Sequence, residues 1–206
     1  MSRQGTQPMT SPTILRARIM ASLAAVLALS GCLGGGKVPA QLLNLTPASA
    51  PAAGGVASGN TDSALAVVDI DAPRKLDVLR LPVVSGGASV TYLKDAQWVE
   101  KPARLFERLV SDTIRAKGKR LVVSNTDLED SAATRLSGTL LAMDYDAASG
   151  GVVVRYDAVL TTPDRKILTR RFESTVAGVA AKPVPVAEAM NRAANDVAAQ
   201  VADWVG

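Results

Sequence analysis

The sequence predicts an α+β fold, a two-layer sandwich in which two amphipathic helices pack on one face of a mostly antiparallel or mixed β-sheet. Two observations lead to this prediction. Several runs rich in β-branched and aliphatic residues are separated by Gly, Pro and Asp turn signals. Two longer stretches repeat apolar residues at intervals of three and four, as a helix with one buried face does. A sheet and helices that each have one apolar side are stable when those sides meet.

Residues 1–31 are predicted to be an export signal that is removed from the mature protein. Arg16 and Arg18 precede an apolar run of 11 residues, Ile19–Leu29, that ends in small residues. The run is shorter than the ~20 apolar residues that a bilayer-spanning helix needs. The long polar segment before Arg16 leaves both Met1 and Met9 open as the start of translation.

The apolar run ends in Leu29-Ser30-Gly31-Cys32, which contains the only cysteine of the chain. This motif resembles the lipobox of bacterial lipoproteins. The resemblance implies cleavage between Gly31 and Cys32, a lipid on the Cys32 sulfur and acylation of the new amino group. More than one acyl chain is needed, because a single chain binds a membrane only marginally. The alternative is a soluble secreted protein with a free thiol.

Leu33, which follows the cysteine, bears on the membrane to which the protein is delivered. In Gram-negative lipoproteins an Asp at this position usually retains the protein at the inner membrane. By the same resemblance, Leu33 favours the outer membrane, with the protein facing the periplasm.

Charge and residue inventory exclude several functional classes. The net charge is +4, but residues 1–31 hold three arginines and no acid, so 20 basic and 19 acidic residues remain after them. This balance gives no electrostatic footprint for a nucleic acid. Without histidine, and with one cysteine, the chain lacks the ingredients of His-based triads and of common zinc sites. No Walker A or dinucleotide motif is present, so we predict no cofactor, no metal and no intrinsic ATPase.

Residues 32–63 are predicted to form a lipidated tether, one strand and a loop. Gly34–Gly36 is predicted to be a short flexible tether, and Gln41–Thr46 is a predicted first strand that ends at Pro47. Residues 48–63 are almost entirely Ala, Gly, Ser, Pro and Asn, with nothing to bury. The folded domain is predicted over residues 64–206.

The first half of that domain is predicted to be a strand, a hairpin and a helix. Ala64–Asp71 is the strand, and two apolar runs flank the hairpin turn at Ser85–Gly87. The helix begins near Pro102 and stops at Gly118. Its apolar face consists of Leu105, Phe106, Leu109, Val110 and Ile114.

The second half is predicted to be a short strand, a meander and a long helix. Arg120–Asn125 is the short strand, and Thr134–Asp146, Gly151–Thr161 and Lys166–Thr175 form the antiparallel meander. The last helix presents one apolar stripe, formed by Val186, Met190, Ala193, Val197, Val201 and Trp204.

Three groups of acidic residues are candidate metal ligands or catalytic carboxylates. Two are pairs spaced by two residues on predicted strands, so each pair shares a face. None has the order of an EF-hand loop, and turn or solvent-face roles are more typical of such groups. The groups are Asp69 with Asp71, Asp144 with Asp146, and Asp127 with Glu129 and Asp130.

Aromatic residues are few, and three of them are candidates for either an interface or packing: Tyr92, Trp98 and Trp204. Phe106 and Phe172 are predicted core residues.

Motifs spread along residues 32–206 together resemble the ABC-type transport auxiliary lipoprotein family, the PqiC-like lipoproteins that accompany MCE-type lipid transport systems. The motifs are diffuse and include no residue that performs chemistry. They are Leu42–Pro47, Val67–Leu76, Tyr92, Trp98, Pro102, Leu136–Gly138, Phe172–Glu173 and Asp203–Trp204.

The resemblance implies a non-enzymatic periplasmic domain held at the outer membrane by the lipid on Cys32. It implies as partners an MCE-type protein and the ABC permease and ATPase of the same system, and it is compatible with a homo-oligomer. Two alternatives remain at this point. One is a stand-alone lipoprotein that supports the envelope by binding another outer-membrane or cell-wall component. The other is a hydrolase that uses Asp69 with Asp71 or Asp144 with Asp146.

Overall fold

The computed structural model describes residues 41–86, 88–118, 120–123 and 131–206. Seven strands and two helices follow one another there in an order that follows the sequence prediction closely. The elements are β1 (Leu65–Asp71), β2 (Arg80–Ser85), β3 (Ser89–Gln97), α1 (Pro102–Lys117), β4 (Val122–Val123), β5 (Thr134–Asp146), β6 (Gly151–Thr161), β7 (Ile167–Val176) and α2 (Pro183–Val205).

The 13-residue strand β5 organises the sheet. One edge of β5 pairs along its length with β6, which pairs in turn with β7, both antiparallel. The other edge is shared, because β1 runs parallel to the first half of β5 and β2 runs parallel to its last residues. β4 extends the sheet beyond β1, and β3 extends it beyond β2. The sheet is therefore mixed.

Both helices cover the same face of this sheet. Along β6, Val152, Val154, Tyr156, Ala158 and Leu160 are buried while the residues between them are partly exposed. The ring of Phe106 on α1 meets Tyr156 edge-on, with 5.2 Å between ring centroids. The apolar stripe of α2 belongs to the same core cluster. The predicted α+β fold with two helices on one sheet face is confirmed.

The ends of α1 follow from local chemistry. Pro102 occupies the first turn, where a missing N–H costs no hydrogen bond. Gly118 adopts φ +65° and donates its N–H to the Arg115 carbonyl. This left-handed conformation favours glycine and ends the helix.

Two strand predictions need correction. The predicted strand Gln41–Thr46 is reduced to one bridge, between Leu43 and Trp98. The reason is that side chains of α2, and not a neighbouring strand, bind the backbone that follows Leu43. Of the predicted strand Arg120–Asn125, only Val122–Val123 pairs, and residues 124 and 125 lie outside the described residues.

Within the described ranges, no helix has the length and apolar character needed to cross a membrane.

Candidate functional site

The chain enters the folded domain through residues 43–48, which we call the strap. Its Leu43 and Leu45 side chains are each 7% exposed and belong to the main core. The Leu43 N–H donates to the Gln97 carbonyl at 2.7 Å, and the Val99 N–H donates to the Leu43 carbonyl at 2.9 Å. The strap therefore extends the sheet at the end of β3.

Two asparagines of α2 hold the second half of the strap. The Thr46 N–H donates to Asn191 Oδ1 at 2.8 Å, and the Ala48 N–H donates to Asn195 Oδ1 at 2.6 Å. Asn195 Nδ2 also donates a hydrogen bond to the Thr46 carbonyl at 2.9 Å. Residues four apart lie on one helix face, so these side chains bind successive backbone groups of an extended segment.

Sequence reasoning missed Asn191 and Asn195. The available signal was their four-residue spacing beside the apolar stripe of a predicted helix. An amide offers both a donor and an acceptor, and it can therefore take the place of a neighbouring strand.

A cleft lies between the strap and α1. Its apolar walls include Leu45, Pro47 and Leu109, and Asp112 also lines it. Arg108 forms an ion pair with Glu100 at the same cleft. These groups can bind or position a partner, but they do not place a nucleophile beside a base.

The candidate carboxylates separate into different roles. Asp144 is 4% exposed and forms an ion pair with Lys75, and its Oδ1 has no hydrogen-bond partner among the described residues. Burial raises the pKa of Asp144, and Lys75 opposes this shift. Asp146 is partly exposed and accepts hydrogen bonds from Ser149 Oγ at 2.8 Å and from the Ala148 N–H at 3.0 Å, which lower its pKa. Asp146 therefore stabilises the β5–β6 turn.

Of the other acidic candidates, only Asp71 has a side chain among the described residues. Asp71 is exposed at the end of β1. The side chain of Asp69, and the whole of Asp127, Glu129 and Asp130, lie outside the described residues. Elsewhere in the described ranges, no three Cys, Asp or Glu side chains converge as metal ligands.

The three candidate aromatics occupy different environments. Trp98 is 1% exposed and pairs with Leu43 of the strap. Trp204 packs edge-on against Phe172 with 5.6 Å between ring centroids. Tyr92 is partly exposed, and the Arg80 guanidinium lies 4.0 Å from its ring centroid. Trp98 and Trp204 thus pack within the domain, and Tyr92 contributes to its surface.

Solved structures share this architecture. A crystal structure of a protein from Xanthomonas campestris superimposes with a TM-score of 0.63 at 18% identity, covering 81% of this chain and 91% of that chain. A crystal structure of an uncharacterized protein gives a TM-score of 0.60 at 11% identity, covering 70% and 93%. At these identities the likeness shows the fold alone. No curated protein sequence gives a significant match.

A more distant likeness is to the PelC dodecamer from Paraburkholderia phytofirmans, with a TM-score of 0.41 at 14% identity, covering 73% of this chain and 92% of that chain. That TM-score is too low to support an argument about assembly.

The match to a sequence family defines the relationship more closely. The model of the family described as ABC-type transport auxiliary lipoprotein component matches residues 43–202. The matched region starts at the strap and ends in the last turn of α2, so it includes every strand described above, all of α1 and α2 up to Ala202. The chain therefore belongs to the ABC-type transport auxiliary lipoprotein family.

Proposed function

We propose that the protein is a lipoprotein anchored through Cys32 and a non-catalytic accessory subunit of an ABC-driven lipid transport system that includes an MCE-type protein. We place it at the outer membrane, facing the periplasm. The observation that carries this proposal is the family match over residues 43–202, because the family is a transport auxiliary lipoprotein component.

The leader supports the anchoring part of the proposal. Leu29-Ser30-Gly31-Cys32 follows an apolar run of the length of a signal peptide and precedes the matched region by ten residues. A diacylglyceryl group with a further acyl chain gives the durable membrane attachment that one chain does not.

The folded domain supports the accessory role. It offers a sheet covered by two helices, and the cleft beside the strap has mixed apolar and charged walls suited to contact with another protein. The sequence carries no Walker A motif, so nucleotide hydrolysis falls to a partner subunit.

The test is complementation of a strain that lacks this protein. Wild-type protein should incorporate labelled palmitate, fractionate with the outer membrane and restore lipid transport. Cys32→Ser should take up no palmitate, because it lacks the sulfur that receives the lipid, and should not restore transport.

Two results would count against the proposal. Normal palmitate labelling of Cys32→Ser would contradict the anchor. An unchanged lipid-transport phenotype in the deletion strain, together with weakened envelope integrity, would favour the stand-alone structural lipoprotein instead.

A further inference from the structure

The surface beside the start of the strap carries exposed apolar side chains. Leu43 and Trp98 form the bridge, and both are buried. Side chains alternate along extended backbone, so their neighbours Leu42 and Val99 point away from the core. Each of these neighbours is 47% exposed.

Arg80 and Tyr92 continue this surface. Arg80 lies opposite Gln97 in the β2–β3 pair, next to the bridge. Its guanidinium lies 4.0 Å from the centroid of the Tyr92 ring. A tyrosine suits a boundary between water and an apolar phase, and an arginine pairs with phosphate. We call Leu42, Arg80, Tyr92 and Val99 the strap-side patch.

The length of chain between the patch and the lipid-bearing residue is short. Leu42 lies ten residues after Cys32 in the sequence. Ten residues span at most about 35 Å when fully extended. This length of chain is enough for the patch to reach the surface of the membrane that would hold the lipid.

Two half-exposed apolar side chains would not hold a free protein on a membrane. A tether changes this, because it converts the contact into an intramolecular one with an effective concentration in the ~mM range. Weak contacts can then decide which face of the domain meets the lipid. Of the exposed apolar side chains, Leu42 is the one nearest to Cys32 along the described chain.

We propose that the strap-side patch lies on the phospholipid surface that holds the acyl chains of Cys32. Leu42 and Val99 enter the headgroup region, and Arg80 and Tyr92 face the phosphates. The opposite sheet edge, β7, then points away from this membrane. The inference rests on the proposed anchoring at Cys32.

The test uses the full acylated protein in vesicles of phosphatidylethanolamine and phosphatidylglycerol. A Val99→Cys variant receives an environment-sensitive fluorophore, and lipid-borne spin labels quench it where the two meet. Cys32 is the only native cysteine, so an acylated sulfur leaves the introduced thiol as the reactive one. Ile167→Cys is the matched control, because Ile167 is 67% exposed on the edge strand β7.

We expect spin-labelled lipid to quench the label at residue 99 several-fold more than the label at residue 167. Adding Leu42→Asp to the Val99→Cys variant should reduce that quenching toward the level of the control. Protein that does not float with the vesicles would overturn the anchor and this inference with it. Protein that floats, with equal quenching at both positions, would overturn the inference alone.

Discussion

The ion pair of Lys75 and Asp144 lies where β5 changes partners. β1 pairs with β5 as far as Thr139, and β2 pairs with it from Tyr145 onward. Lys75 belongs to the connection between β1 and β2 and contacts β5 between these two pairings. The pair therefore fixes the β1–β2 connection against the central strand.

Lys75→Met should lower the free energy of unfolding by about 3 kcal/mol, because it leaves the buried Asp144 carboxylate without its counter-charge. Lys101→Met is the matched control. Lys101 pairs with Asp77, and both side chains are more than half exposed, at 54% and 59%. Lys101→Met should lower the free energy of unfolding by only about 0–1 kcal/mol, because exposed ion pairs contribute little. Urea unfolding measures both, and equal losses would contradict the assignment.

The pH dependence of that loss follows from the raised pKa of Asp144. Burial raises the pKa above its ordinary value of 3.8, so the folded state binds this proton more tightly than the unfolded chain does. The stabilisation that this proton gives the folded state is fully present below pH 3.8 and is lost as the pH rises through the folded-state pKa. Lys75 lowers this pKa, so Lys75→Met should raise it. The protonated form of Asp144 should then stabilise the fold up to a higher pH.

We therefore expect the destabilisation by Lys75→Met, relative to wild type, to be larger at about pH 7 than at about pH 4, where Asp144 can take up a proton. Urea unfolding of both proteins at the two pH values measures this difference. A destabilisation that does not change with pH would contradict the role given to the Asp144 carboxylate.

At the scale of elements, the strap depends on α2. Asn191 and Asn195 make three hydrogen bonds to its backbone, and they lie about 145 residues further along the chain. The double variant Asn191→Ala/Asn195→Ala should have a free energy of unfolding lower by about 2–3 kcal/mol. Amide hydrogen exchange at Thr46 and Ala48 should be faster than in the wild type. Hydrogen-exchange mass spectrometry resolves the strap from the rest of the domain.

Gln200→Ala provides the control on the same helix. The Gln200 amide bonds to Asp196 at 3.2 Å and to the Glu173 carbonyl at 3.5 Å, and neither is part of the strap. Strap exchange should not change in this variant. Protection of Thr46 and Ala48 that survives loss of both asparagines would show that buried Leu43 and Leu45 hold the strap alone.

The strap also shows which elements can be predicted from the sequence. The β5–β7 meander was predictable, because long alternating runs separated by short turns determine local pairing. The residues Gln41–Thr46 alternate in the same way, but only Leu43 pairs with strand-like backbone, and Thr46 is bound by asparagine amides of a distant helix. No local pattern reports such a pairing. The parallel contacts of β1 and β2 with β5 are equally non-local.

The candidate functional residues also differ in how far a local sequence pattern can identify them. The lipobox at Cys32 is recognisable in the sequence because it is a local motif at the end of an apolar run, and it stays a prediction because it lies outside the described residues. The different roles of Asp144 and Asp146 could not be predicted, because the role of Asp144 depends on Lys75, 69 residues earlier in the chain. The packing of Trp98 depends likewise on the strap, which precedes it by about 50 residues.

At the scale of the whole molecule, the strap joins the proposed lipid anchor to a domain of the transport auxiliary family. The buried strap leucines and the asparagine bonds fix the point at which the tether leaves the domain. In the proposed arrangement, the ten residues between Cys32 and the strap would hold the domain within about 35 Å of the membrane that carries the lipid. In the same arrangement, we propose that the other subunits would contact the remaining surface, which includes the β7 edge.

Isolation of this protein from detergent-solubilised envelopes tests the central claim most directly. A tag after Gly206 follows the end of α2 and leaves the proposed anchor at Cys32 unaltered. Mass spectrometry should find an ABC permease, an ATPase and an MCE-type protein with the tagged wild-type protein after cross-linking. Recovery of the acylated protein with neither an ABC nor an MCE component would contradict the account.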